Sequence, residues 1–153
     1  MSQLLRLLPV ENILLDIEAT SKKRVFERAG LLFENNLGIA RSTVYESLFA
    51  REKLGSTGLG HGVAVPHGRI KNIKEAKGAF LRLAAPVPFE SPDGKPVSLL
   101  FVLLVPEHAT ELHLQILSEL AELFSQRASR DALQQAKSVN DIRQVFSTER
   151  IPA

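Results

Sequence analysis

A histidine between proline and glycine, Pro66-His67-Gly68, is the feature of this sequence best suited to chemistry. Neutral imidazole is nucleophilic near neutral pH because its unperturbed pKa is about 6.5. Attack on phosphorus places a phosphoryl group on a ring nitrogen, in a bond that stays reactive. Pro66 restricts its own backbone, and Gly68 has no Cβ to block an approaching group. We therefore expect His67 on a rigid, accessible loop just beyond a short strand; the alternative is an ordinary surface histidine in a turn.

Arg51 is a candidate for binding a phosphoryl group. It follows Val44 by seven residues and Leu48 by three, which places it on the apolar face of a helix, near its C-terminal end. A planar guanidinium can bind phosphoryl oxygens in bidentate fashion. The alternative is an arginine that extends to solvent and interacts with the helix dipole.

His113 is the second candidate. It precedes Ile116, Leu117 and Leu120 at helical spacing, so it faces inward from the first turn of a helix. The helix dipole there disfavours imidazolium, and a neutral ring can still donate one N–H to a phosphoryl oxygen. A buried histidine with ordinary partners is the alternative.

Ser56 and Thr57 lie in residues 55–62, where four of eight residues are glycine. This segment is expected to be a loop, and its hydroxyls and amides could contact an anion. It lacks the Gly-Lys-Ser/Thr of a Walker A loop and the Gly-x-Gly-x-x-Gly of dinucleotide-binding folds. A glycine-rich turn without a ligand is equally consistent with it.

A metal site formed by His61, His67 and His113 is conceivable but not favoured. No two histidines lie four residues apart on a predicted helix, and no carboxylate has a clear ligand spacing. We therefore expect neither a metal nor a cofactor.

Composition indicates one soluble domain, residues 1–153 with a core of about 8–147. The chain has 44% hydrophobic and 24% charged residues, and it contains no cysteine, which excludes disulfides and thiolate catalysis. Its net charge is only +2. The cluster 22–24, Lys-Lys-Arg, is expected to be a solvated first helical turn rather than a nucleic-acid surface, since aromatic residues are few.

The longest apolar run, residues 99–105, is too short to cross a membrane, and no signal peptide is recognisable at the start. These features predict a cytoplasmic protein without direct membrane insertion.

The predicted elements place the candidate residues. Residues 14–17 suggest an edge strand, and Thr20 or Ser21 can cap a helix that ends near Asn36 and Gly38. Apolar residues recur through that helix at Val25, Phe26, Ala29, Leu32 and Phe33. A second helix is expected from about Thr43, which has capping-box spacing to Glu46, to about Leu54.

Strands follow in the middle of the chain and helices at its end. Residues 63–65 and 80–83 alternate or cluster as strands, Asp93-Gly94 marks a turn, and the run 99–105 fits a strand buried on both faces. Thr110 can cap a long helix with apolar residues Leu112, Ile116, Leu117, Leu120 and Phe124. Two shorter helices should follow, the last from about Ser138. A strand buried on both faces needs a layer on each side, so the fold class is an α/β sandwich.

Three segments together resemble a known family. They are Arg51-Glu-Lys-Leu-Gly-Ser-Thr-Gly58, Gly62-Val-Ala-Val-Pro-His-Gly68, and residues 100–106 with His113-Leu114. The chain is similar to the enzyme IIA proteins of the phosphoenolpyruvate-dependent phosphotransferase system, of the mannitol/fructose type, and especially to their nitrogen-regulatory branch.

The resemblance implies a mixed β-sheet flanked by helices and a phosphotransferase component with a phosphohistidine intermediate. His67 would be the phosphoacceptor, through Nε2, and Arg51 and His113 would match the family's other active-site residues. The donor would be an HPr-like carrier phosphorylated on histidine. Targets would be regulatory, such as potassium-transport or sensor proteins. His61 stands where some relatives have asparagine, and its role is not assigned.

Three other functions remain open. A sugar-specific enzyme IIA would pass phosphate to an enzyme IIB. A binding module would use His67 only as a contact residue. A metal-dependent hydrolase is the third.

Overall fold

The computed structural model describes residues 3–108 and 111–147, except the side chain of Leu112. Thr110 and the side chain of Leu112, both part of the prediction for the long helix, lie outside what is described. The elements in chain order are α1 (Gln3–Arg6), β1 (Ile13–Ile17), α2 (Lys22–Leu37), α3 (Arg41–Glu52), β2 (Gly58–Gly60), β3 (Val63–Ala64), β4 (His67–Ile70), β5 (Lys77–Val87), β6 (Val97–Pro106), α4 (Glu111–Ser125), α5 (Arg127–Gln135) and α6 (Val139–Ser147).

Within these residues the strands form one mixed sheet in the order β1-β5-β6-β3-β2. β5 and β6 are antiparallel, and β1 runs parallel to β5 at one edge, as the short edge strand in the sequence predicted. β3 and β4 pair in succession with the other side of β6, both parallel to it. The site residue His67 therefore lies beside the central strand.

β6 is buried on both faces, which confirms the prediction for residues 99–105. Leu99, Phe101, Leu103 and Val105 belong to one core, whereas Leu100, Val102 and Leu104 belong to the other. The first core is closed by α1 and the three C-terminal helices, and the second by α2 and α3. The α/β sandwich with helices on both sheet faces is thus confirmed.

The ends of α2 follow the sequence signals. The hydroxyl of Ser21 accepts a hydrogen bond from the amide of Arg24 at 3.2 Å, as expected of an N-cap. Gly38 adopts φ 71° just after the helix, and its amide donates to Glu34. The last helix, α6, begins at Val139, close to the predicted start near Ser138, and the hydroxyl of Ser138 accepts from the amide of Asp141.

The capping box predicted at Thr43 for the start of α3 was wrong. The helix begins at Arg41, two residues before Thr43, and no side chain of its own N-cap residue, Ala40, bonds to it. Instead the carboxylate of Glu34 accepts from the amide of Arg41 at 3.0 Å and from its guanidinium. A carboxylate from the preceding helix satisfies the free amide, so the local capping box is not needed.

Two other local predictions were wrong. Residues 55–62 are not entirely loop, because Gly58–Gly60 forms β2 and pairs with β3. Lys22 is not a solvated residue of the first turn of α2. Its side chain is only 15% exposed and is paired with a carboxylate of α3, Glu52.

Arg82 connects the sheet to the C-terminal helices. Its buried guanidinium donates to the carbonyls of Leu133 and Ala136, at the end of α5, at 2.9 and 2.6 Å. It also pairs with the carboxylate of Asp16 on β1.

No helix in the described ranges is long and apolar enough to cross a membrane.

Candidate active site

An open cavity of about 1110 Å³ lies between α3, β4 and the start of α4. Its wall includes four of the predicted site residues, His67, Gly68, Arg51 and His113, which come from three separate parts of the chain. Ser56 and Thr57 are not among its lining residues. The cavity therefore brings together the proposed acceptor and the two proposed phosphoryl-binding groups.

The sequence predicted His67 on a loop just beyond a strand, and this prediction was wrong. His67 is the first residue of β4. It pairs with Leu103 of the central strand, and the carbonyl of Pro66 accepts from the amide of Leu103 at 2.9 Å. The ring is half-buried. Val65 and Pro66 separate β3 from β4, and the chain resumes strand pairing at His67, so backbone pairing with β6 fixes the histidine's position.

A backbone contact determines the tautomer of His67. Its Nδ1 lies 2.9 Å from the carbonyl oxygen of Val65. Because a carbonyl only accepts hydrogen bonds, Nδ1 carries the proton, and the lone pair of the neutral ring is on Nε2. The nucleophilic nitrogen is therefore Nε2.

The surroundings lower the pKa of His67 below its ordinary value of 6.5. Burial is the largest cause, and the positive charge of Arg51 and the ring of His113 act in the same direction. The hydrogen bond to Val65 and the carboxylate of Glu52 oppose the shift. His67 is consequently neutral, and able to act as a nucleophile, at neutral pH.

Arg51 lies near the C-terminal end of α3, on the same helical face as the buried Val44 and Leu48. Its Nη1 donates to the carbonyl of Gly55 at 2.8 Å. This bond closes the turn after the helix, while the side chain also lines the cavity. The two roles are compatible because a guanidinium has five N–H donors and this bond uses one of them.

His113 lies in the first turn of α4, and its ring centroid is 6.2 Å from that of His67. Its Nδ1 is buried and has no hydrogen-bond partner among the described residues. A buried N–H without an acceptor is unfavourable, so the proton of the neutral ring belongs on Nε2. That leaves His113 with an N–H donor for an anion bound beside His67.

Gly68 also has a packing role that was not predicted from the sequence. It is buried, and a Cβ at this position would overlap Oγ of Ser47 and lie 3.1 Å from the Ser47 carbonyl carbon. The hydroxyl of Ser47 also donates to the carbonyl of Arg69 at 2.9 Å. The missing Cβ lets α3 pack directly against β4, which brings Arg51 and His67 to the same cavity.

The hydroxyls of Ser56 and Thr57 have partners within the protein. Ser56 donates to the carbonyl of Phe89 at 2.5 Å, and Thr57 donates to the carboxylate of Glu52 at 2.7 Å. Thr57 is buried. The structure therefore places neither hydroxyl at the cavity beside His67.

Glu52 was not singled out in the sequence, yet it is buried next to Arg51. It follows Leu48 by four residues and Val44 by eight, so a helical projection places it on the apolar face of α3. A carboxylate on an apolar face is unusual unless it is paired. That signal was present in the sequence.

His61 is exposed in the turn between β2 and β3 and has a φ of 57°. Asparagine and histidine tolerate this left-handed conformation better than most residues. The carboxylate of Asp93 accepts a hydrogen bond from the amide of His61 at 2.8 Å. Its position is thus explained by the turn.

In the part of the chain that is described, no three His, Asp or Glu side chains are grouped as metal ligands.

The arrangement has the parts needed for phosphoryl transfer to nitrogen. A neutral imidazole offers a lone pair on Nε2, a guanidinium supplies positive charge, and a second imidazole supplies an N–H donor. Such fixed donors stabilise the charge on the equatorial oxygens of a phosphoryl group in transfer.

Comparison with known proteins agrees with this geometry. Residues 6–149 match the family model for "Phosphoenolpyruvate-dependent sugar phosphotransferase system, EIIA 2". A nitrogen regulatory protein of Pseudomonas aeruginosa is 44% identical over 133 residues, which are 86% of each chain.

Solved structures give the same result. The crystal structure of nitrogen regulatory protein IIA-Ntr from Neisseria meningitidis is 53% identical and superposes with a TM-score of 0.91, covering 95% of this chain and all of that one. The crystal structure of IIA mannitol from Escherichia coli shares the fold, with a TM-score of 0.77 at 22% identity over 91% of this chain and 98% of that one. The chain therefore belongs to the enzyme IIA family of the phosphoenolpyruvate-dependent phosphotransferase system, in its nitrogen-regulatory branch.

Proposed function

We propose that this protein is a phosphocarrier that accepts a phosphoryl group on Nε2 of His67 from a phosphohistidine carrier of the HPr type. The observation that carries the proposal is the bond from Nδ1 of His67 to Val65, which leaves the Nε2 lone pair on a ring that lines the cavity with Arg51 and His113.

The transfer is an in-line displacement between two imidazoles. The Nε2 lone pair of His67 forms the new N–P bond while the N–P bond of the donor breaks, and its electron pair returns to the donor's ring. The imidazole of His67 gains positive charge, which its Nδ1–H shares with the carbonyl of Val65. Arg51 and His113 stabilise the phosphoryl oxygens, so positioning and electrostatics supply the catalysis.

The product is suited to signalling. A phosphoryl group adds a charge of about −2 at an accessible surface, and such a charge strengthens or weakens binding to partner proteins. We therefore propose that the phosphorylation state of His67 controls binding to regulatory targets. Potassium-transport or sensor proteins are the candidates that the family resemblance suggests.

The proposal is tested by reconstituting the transfer with phosphoenolpyruvate, enzyme I and the HPr-like carrier. We expect acid-labile, alkali-stable label on the wild-type chain. Arg51→Ala should slow labelling about a hundredfold, as for loss of other charge-stabilising donors. Arg51→Lys should fall between the two, because it keeps the charge but loses the planar donor pair. Absence of label on the folded wild type, with carriers that label a known acceptor, would refute the proposal and favour a binding module.

A second candidate is a sugar-specific enzyme IIA. The match to a family of the sugar phosphotransferase system favours it. Such a protein would pass the phosphoryl group to a cysteine of an enzyme IIB. Incubation of the phosphorylated chain with purified enzyme IIB proteins distinguishes the two. We expect the label to stay on this chain, and rapid transfer to one of them would favour the transport role.

A further inference from the structure

Glu52 is not among the residues that line the cavity, yet it lies at the centre of the hydrogen bonds that hold the candidate active-site residues. We propose that Glu52 is a positioning residue for phosphoryl transfer, which fixes the turn of residues 53–57 and thereby orients Arg51 and His67. This inference rests on the proposed phosphocarrier function.

Both oxygens of the Glu52 carboxylate accept hydrogen bonds. Its Oε1 accepts from the hydroxyl of Thr57 at 2.7 Å, and its Oε2 accepts from the amide of Thr57 at 3.1 Å. Oε2 also accepts from Nζ of Lys22 at 2.9 Å, and the Glu52 side chain is only 4% exposed. Charge-assisted bonds of this kind, away from water, are stronger and more directional than those at the surface.

These bonds fix the turn that holds Arg51. Glu52 lies at the start of the turn and Thr57 at its end, so the hydrogen bonds between these two residues close the turn. Within it the amide of Gly55 donates to the carbonyl of Glu52 at 3.1 Å, and the carbonyl of Gly55 accepts from Arg51 at 2.8 Å. The position of the guanidinium therefore depends on a turn that Glu52 closes.

The same residue is connected to His67. The carbonyl of Thr57 accepts from the amide of Val65 at 3.0 Å, and the carbonyl of Val65 accepts from Nδ1 of His67 at 2.9 Å. A continuous series of hydrogen bonds thus runs from Glu52 through Thr57 and Val65 to the nucleophilic ring. The position of the acceptor and that of the charge-stabilising group share one buried anchor.

Glu90 provides the matched control, because it is the second carboxylate bonded to Lys22. Nζ of Lys22 bonds to Glu52 and also to Glu90 at 3.1 Å, and the Glu90 side chain is 85% exposed. Removing the charge of Glu90 leaves the contacts of Glu52 with Thr57 in place. A variant at Glu90 therefore changes the charge near Lys22 without changing the turn.

The test measures single-turnover phosphorylation by the HPr-like carrier, and carrier affinity separately, in a double-mutant cycle. Glu52→Ala should slow transfer by about ten- to a hundredfold, since a misplacement of reacting groups by about 1 Å can cost up to about a hundredfold in rate. Carrier affinity should not change. Glu52→Gln should retain most of the rate, because its amide can accept from the amide of Thr57 and donate to the hydroxyl. Glu90→Gln should match the wild type.

The cycle distinguishes positioning from general loss of structure. In the Arg51→Ala background, Glu52→Ala should cost a clearly smaller factor than in the wild type, because part of its effect acts through Arg51. The same factor in both backgrounds, or a wild-type rate for Glu52→Ala, would overturn the inference. If Glu52→Ala does not fold, Thr57→Val, which removes only the hydroxyl bond, enters the same cycle with the same criteria. A wild-type chain that takes no label would refute the phosphocarrier function itself, which is a separate outcome.

Discussion

The imidazole rings of His67 and His113 lie beside each other in one cavity, with their centroids 6.2 Å apart and their planes inclined by 42°. This spacing lets a phosphoryl group on one ring accept a hydrogen bond from the other. It also disfavours a positive charge on both rings, and His113 is one of the causes that lower the pKa of His67. The pair therefore favours a neutral His67 and could provide an N–H donor for the phosphoryl group that we propose His67 accepts.

We expect His113 to contribute to transfer through its N–H donor. His113→Ala should slow phosphorylation of His67 about a hundredfold, the usual effect of losing one such donor. His113→Gln should recover part of the rate, because its amide also donates. The control is His108→Ala, since that side chain is 94% exposed and outside the cavity. A wild-type rate for His113→Ala, measured by rapid quench, would contradict the role.

The pKa of His67 should lie below 6.5, because burial and the charge of Arg51 disfavour imidazolium. An NMR titration of the ring should give a midpoint below that value, and Arg51→Ala should raise it. The transfer rate should therefore hold constant as pH falls to about 6.5 and decline only below it. A midpoint at or above 6.5 would contradict the interpretation of the site.

The same shift predicts a dependence of stability on pH. Between the folded pKa and about 6.5 the unfolded chain binds a proton that folded His67 does not. The contribution of His67 to the free energy of unfolding is then fully present above pH 6.5 and is lost as pH falls through this range. Denaturation of His67→Gln should lack this part of the pH slope, and an identical slope in both proteins would argue against it.

Gly68 should affect packing before it affects access to His67. Gly68→Ala should destabilise the protein by about 1–3 kcal/mol, because the new methyl group meets Ser47 and its backbone. Ser47→Ala alone should cost no more than about 1.5 kcal/mol, the value of one hydrogen bond. In the double variant the cost should be less than the sum, since the shortest contact is gone. If Gly68→Ala unfolds at the same denaturant concentration as the wild type but no longer accepts phosphate, the packing role would be contradicted. Gly68 would then serve to leave space for the group that approaches His67.

Arg82 should matter for stability and not for transfer. Arg82→Met should lower the free energy of unfolding by about 2 kcal/mol or more, because the carbonyls of Leu133 and Ala136 lose their donor in a buried setting. The exposed Arg127→Ala should change it by about 0.5 kcal/mol or less. Chemical denaturation measures both. Equal effects of the two variants would contradict the structural role.

The sequence predicted the sandwich, the central strand and four of the residues that line the cavity, Arg51, His67, Gly68 and His113, because these depend on periodicity and on unusual local chemistry. The apolar run from Leu99 to Val105 is short and bounded by prolines, which favours a strand covered on both faces. The start of α3 could not be predicted, because its cap comes from Glu34 on another helix. The role of Gly68 depends on Ser47, which is distant in the sequence. The role of Thr57 depends on Glu52, which had not been singled out from the sequence. Contacts between elements decided each of these cases.

The most direct test of the account is the identity of the phosphorylated atom. We would phosphorylate the ¹⁵N-labelled protein with phosphoenolpyruvate, enzyme I and the HPr-like carrier, and record the nitrogen–phosphorus coupling in the histidine rings. The proposed transfer predicts coupling to Nε2 of His67 with Nδ1 still protonated, and no coupling in His67→Ala. Coupling to Nδ1 of His67, or a phosphorylated residue in the folded His67→Ala protein, would contradict it.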